Sequence, residues 1–188
     1  GLAALKSMAE ELGRSPVPVP PKDQWKAVGW GTGGTTYEHE TRARERTSTV
    51  AMALKDSADA QGDVDGFIAQ YDPKTRKVPQ IAAEIAQRLL AAGRAGEALG
   101  VLERVELGDG LRVPLAWQDI RLQTLEALGR GEEAQAFRWD CFERTLSDSY
   151  LRAYLKRLPD FDDIEAEERA MAHVMAYPSL LHALQFFL

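Results

Sequence analysis

Residues 87–98 read QRLLAAGRAGEA, and residues 123–134, at an offset of 36, read QTLEALGRGEEA. Seven of the twelve aligned positions are identical: Gln87/Gln123, Leu89/Leu125, Ala91/Ala127, Gly93/Gly129, Arg94/Arg130, Glu97/Glu133 and Ala98/Ala134. Chance would give roughly one, and a period of about 20–50 residues is the mark of stacked structural repeats. Each copy predicts a helical hairpin. The first helix ends at Gly93 or Gly129, where a left-handed C-cap is cheap only for glycine. The second begins almost at once, so the two helices must be antiparallel neighbours. Small Ala98 and Ala134 let their backbones approach closely. Leu99, Val101, Leu102 and Val105 in one copy, and Phe137, Cys141 and Phe142 in the other, supply the apolar stripe of the second helix.

Working outward, Pro79 suits a first helical turn and opens a segment with Ile81, Ile85 and Leu89 on one face. Upstream, Val50, Leu54 and Ala58 stripe a helix that starts near Glu38 and stops at Gly62. Asp63 caps a short helix through Phe67 and Ile68, halted by Pro73. Before it, SPVPVPP (15–21) and GWGTGG (29–34) predict an extended, irregular surface connector spanning 14–37. Residues 1–13, with Leu2, Leu5, Met8 and Leu12, predict the end of a preceding helical segment. Downstream of the repeats (about 79–110 and 115–146), Tyr150, Leu151, Tyr154, Leu155 and Leu158 begin a degenerate third unit over 149–188. Residues 38–188 thus form the expected helical-repeat domain. Both ends read as interior sequence of a longer helical protein.

These hairpins resemble tetratricopeptide-type repeats, units of about 34 residues. They depart from that pattern in the period of 36, in Arg138 where an aromatic is usual, and in lacking a closing proline. The resemblance implies an all-α fold: a right-handed α-α superhelix of stacked hairpins. The stretch from FIAQYDPKTRKVPQIAAEIAQRLLAAGR through LRAYLKRLPDFDDIEAEERA also resembles an uncharacterised family, a domain of unknown function found mainly in proteobacteria. That likeness carries no activity and no catalytic residues.

Composition narrows the function classes. A net charge of −6 argues against a general nucleic-acid binder, which needs a basic footprint. The basic run KTRK (74–77) is too short to change that. No apolar run approaches the roughly 20 residues that span a bilayer. Cys141 is the single cysteine, which excludes an intrachain disulfide and fits a reducing, cytoplasmic setting.

The glycines match the letters of a dinucleotide fingerprint, but a fingerprint needs a strand before it and a packed helix after it. Here a proline-rich segment precedes and TTYEHETRARER follows, so no nucleotide cofactor is expected. VAMALK (50–55) lacks the other kinase signatures. DFDDIEAEE (160–168) lacks calcium-loop spacing and reads as a helix start, with Asp160, Asp162 and Asp163 capping it and complementing the dipole. His39, His173 and His182 form no metal-binding pair at helical spacing. No cofactor, metal or catalytic residue is therefore assigned.

The expected function is that of a non-enzymatic scaffold for a protein or peptide, because such solenoids build extended concave surfaces. Gln87 and Gln123, equivalent on the two first helices, are the candidate groove contacts. Trp25, Trp30 and Tyr37 are candidate contacts in the connector. The Lys/Asn set that grips a C-terminal carboxylate in some such arrays is replaced here by Ala83, Leu90, Asp119 and Glu126. The alternative is a regulatory or substrate-recruiting segment of a larger enzyme whose active site lies outside this chain.

Overall fold

A computed structural model describes residues 1–106, 113–159 and 161–186. The end of the first repeat (107–110), Asp160 and the last two residues of the third unit lie outside the described residues. The chain divides into two compact units, Gly1–Thr75 and Arg76–Leu188.

The first unit is built on a long helix. Helix α1 (Leu2–Arg14) packs along α2 (Glu38–Gln61), with a β-hairpin of β1 (Ala27–Gly31) and β2 (Gly34–Tyr37) between them in sequence. Gly13 marks the close approach: a methyl group there would lie 3.2 Å from Val50 Cγ1. Arg46 of α2 reaches the carbonyls of Leu12 and Ser15, satisfying the free end of α1. Gly62 ends α2 at φ 65°, as its position predicts. Asp63 then accepts the Gly66 amide at 2.8 Å and caps α3 (Val64–Ala69), which buries Phe67.

The hairpin corrects the reading of the glycine segment as an irregular loop. β1 and β2 pair antiparallel with Trp30 opposite Thr35 and Gly31 opposite Gly34, leaving Thr32-Gly33 as a two-residue turn. Gly34 follows that turn at φ 101°, a conformation that L side chains rarely adopt. The glycines therefore serve a tight reversal between β-prone residues. Helix nevertheless dominates, with ten α-helices among the described residues.

The second unit is entirely helical among the described residues. Helices α4 (Pro79–Ala91) and α5 (Ala95–Glu103) form one hairpin, α6 (Leu115–Ala127) and α7 (Gly131–Thr145) the next. Helices α8 (Asp148–Leu155), α9 (Asp162–Met175) and α10 (Leu180–Phe186) follow. The two hairpins are equivalent in detail. Gly93 and Gly129 sit at φ 75° and 71°. Arg94 N donates to Leu89 O at 2.8 Å and Arg130 N to Leu125 O at 2.9 Å. The Arg94–Glu97 and Arg130–Glu133 ion pairs repeat across each turn, and hydrogen bonding from the arginine lowers each glutamate's pKa.

Ala98 and Ala134 are fully buried at the helix crossings, and α4 packs on α6 as well as on α5. One apolar cluster runs from Leu99, Leu122 and Leu125 through Cys141, Phe142 and Leu151 to Val174 and Ala183. At the start of α9 the structure differs from the aspartate-cap expectation. Phe161 occupies the N-cap with φ 77°, and Asp162, Asp163 and Glu165 lie in the first turn. There they complement the helix dipole.

Candidate functional site

The two glutamines come together. Gln80, Ala83, Glu84 and Gln87 of α4 and Ala116, Asp119, Ile120 and Gln123 of α6 line one groove of about 260 Å³. These eight residues are four pairs at the repeat offset of 36, so the groove is the same helix face presented twice. Gln87 and Gln123 are both exposed and carry amide donors and acceptors. Asp119 accepts a hydrogen bond from Tyr150 Oη at 2.9 Å. Burial, reinforced by that carboxylate, raises the Tyr150 pKa, so the phenol stays a donor. The groove thus offers the amides of Gln80, Gln87 and Gln123 and the carboxylates of Glu84 and Asp119, a set suited to hydrogen-bonding an extended chain.

The three aromatic candidates do not act together. Trp25 and Tyr37 meet with ring centroids 4.9 Å apart, and Trp25 also contacts His39 at 4.8 Å. Trp25 Nε1 donates to Pro20 O at 2.8 Å, which pins the proline segment beside the start of α2. Of the three, only His39 lines the adjacent cleft of about 610 Å³, with Val17–Pro20, Gln24, Lys26, Glu38 and Arg42. Trp30 is apart from this group and 81% exposed on β1.

A second constellation in the Arg76–Leu188 unit escaped the sequence reading. Arg138 of α7 is only 3% exposed. Its guanidinium pairs with Glu126 of α6 and donates to Gln135 Oε1 at 2.9 Å. Arg157 reaches the same Glu126 oxygen at 3.0 Å. Arg169 of α9 lies 3.7 Å over the Trp139 ring and donates to Tyr154 Oη at 3.2 Å. These groups, with Leu158 and Pro159, border a cavity of about 730 Å³. A signal for it existed: at the repeat offset Arg138 aligns with Leu102, Glu126 with Leu90 and Gln135 with Leu99.

Cys141 is fully buried in the core, and burial pushes its thiol up to about 11. Because the thiolate is the reactive form, an aromatic disulfide reagent at pH 8 should leave Cys141 unmodified in the native chain and react fully after denaturation. Rapid native labelling would contradict the packing of α7. His173 binds the Glu143 carbonyl at 2.9 Å, and His182 lies 2.8 Å from Ser179 Oγ. Among the described residues no group of three or more His, Cys, Asp or Glu side chains is placed to hold a metal ion, and no helix is long and apolar enough to cross a membrane.

No curated protein and no solved structure matches the chain. A family model does, over residues 1–188, and this chain therefore belongs to the family of unknown function DUF6880.

Proposed function

We propose that the chain is a non-enzymatic scaffold that holds a protein or peptide segment against α4 and α6. In this reading the hairpins stack as a right-handed, tetratricopeptide-like superhelix, and their first helices line its concave side. The observation that supports it is the groove composed of four repeat-equivalent pairs, with Gln87 and Gln123 at matching positions. Glutamine amides in such a register hydrogen-bond successive peptide groups without demanding a side-chain sequence. Asp119 adds a place for a cationic or amide donor. The lone buried cysteine fits a reducing, cytoplasmic setting.

Selection of a random phage-displayed peptide library on the immobilised chain tests this. Enriched peptides are expected to bind a Gln87→Ala/Gln123→Ala variant about tenfold more weakly, the equivalent of one to two lost hydrogen bonds. A selection that enriches nothing, or peptides that bind the double variant equally well, would overturn the groove reading.

A further inference from the structure

We propose that the cavity between α6, α7, α8 and α9 binds an organic oxyanion, a carboxylate or phosphate ester carried on a flat apolar body. Leu90, Leu99 and Leu102 stand in the first hairpin where Glu126, Gln135 and Arg138 stand in the second. Leu102 and Arg138 are equally buried, at 1% and 3% exposure. The same turn and helix crossing are therefore built with leucine, and folding does not require the charges. A buried ion pair is weak evidence for stability, because desolvation offsets its Coulomb attraction.

Arg138 and Arg157 converge on one oxygen of Glu126, two cations sharing a single acceptor. Among the described residues no carboxylate pairs with Arg169, which is held by a ring face and a phenol. Three guanidinium groups face one cavity, against the carboxylates of Glu126 and Glu132. Guanidinium forks match carboxylate and phosphate geometry with paired hydrogen bonds. Trp139, Tyr154, Leu158 and Pro159 supply an apolar wall, and the volume of about 730 Å³ suits a small molecule. The ligand's oxyanion would meet Arg157 and Arg169, and its body would lie along the Trp139 side. This site is separate from the groove of α4 and α6, so its fate does not depend on the scaffold reading.

Isothermal titration of the 188-residue chain with benzoate, phenyl phosphate and uncharged benzyl alcohol, at low ionic strength, tests the proposal. At least one of the two anions is expected to bind saturably, and the tighter one identifies the headgroup. Benzyl alcohol should bind at least tenfold more weakly than that anion. Arg157→Gln and Arg169→Gln remove exposed charges and leave Arg138 in place, so both variants should keep the urea midpoint of the parent. Each should weaken the anion by at least about tenfold, the scale of a charge-assisted hydrogen bond. Absence of saturable binding by both anions, equal binding of benzyl alcohol, or unchanged affinity in both variants would each overturn it.

Discussion

Truncating Phe142 to alanine is expected to destabilise the Arg76–Leu188 unit by about 3–5 kcal/mol, the usual cost of emptying a buried phenylalanine site. Phe142 is fully buried on α7 and joins helices that are distant in sequence. Its ring lies 5.4 Å from Trp139, 5.9 Å from His173 on α9 and 5.9 Å from Phe186 on α10. Collapse around the missing ring would require three helices to shift together, so the cavity should persist and the loss should fall in the upper part of that range. Domains of this size have only about 5–15 kcal/mol of net stability, so the variant should lose a large fraction of it. Equilibrium urea unfolding read by Trp117 and Trp139 fluorescence, with Trp25 and Trp30 changed to phenylalanine in both chains, measures it. A loss below about 1 kcal/mol would mean that α9 and α10 do not seat on α7 as the structure has them.

The sequence made the second unit legible because its signals are local and repeated. Gly93 and Gly129 announce two identical turns, Pro79 announces a helix start, and the leucine stripes announce which faces are buried. The groove followed from the same repeat, since equivalent positions on packed first helices must share a surface. Two features did not follow. The hairpin at 27–37 was obscured because its glycines were weighed against a phosphate loop, and a four-residue strand has almost no periodicity to read. The short Thr32-Gly33 connection between Trp30 and Thr35 was its signal. The arginine cavity was obscured for a different reason. Glu126, Arg138, Arg157 and Arg169 come from separate helices, and only packing brings them to one place. Its local signal was the exchange of Leu102 in the first copy for Arg138 in the second.

Glu126→Leu alone should destabilise the Arg76–Leu188 unit by about 3–5 kcal/mol, because it strips the carboxylate from a cation buried in the helix crossing. Gln135 would remain as a neutral partner for Arg138, which places the expected value toward the lower end. Glu126→Leu/Arg138→Leu, which restores the first hairpin's own residues at both positions, should instead stabilise the unit by about 1–4 kcal/mol relative to the parent. The reversal arises because the double change removes the buried Arg138 guanidinium together with its partly exposed partner and restores the residues of the first hairpin, where Leu102 is buried at the same position. Arg157 loses its ion pair in both variants, but its side chain is 44% exposed and water replaces the carboxylate at little cost. Urea unfolding of the two variants beside the parent gives both numbers. If the double variant is the least stable of the three, the buried pair is a structural requirement of the second hairpin, and the argument that its charges are kept for a ligand fails. If it is the most stable, the second hairpin carries a polar cluster that its fold does better without.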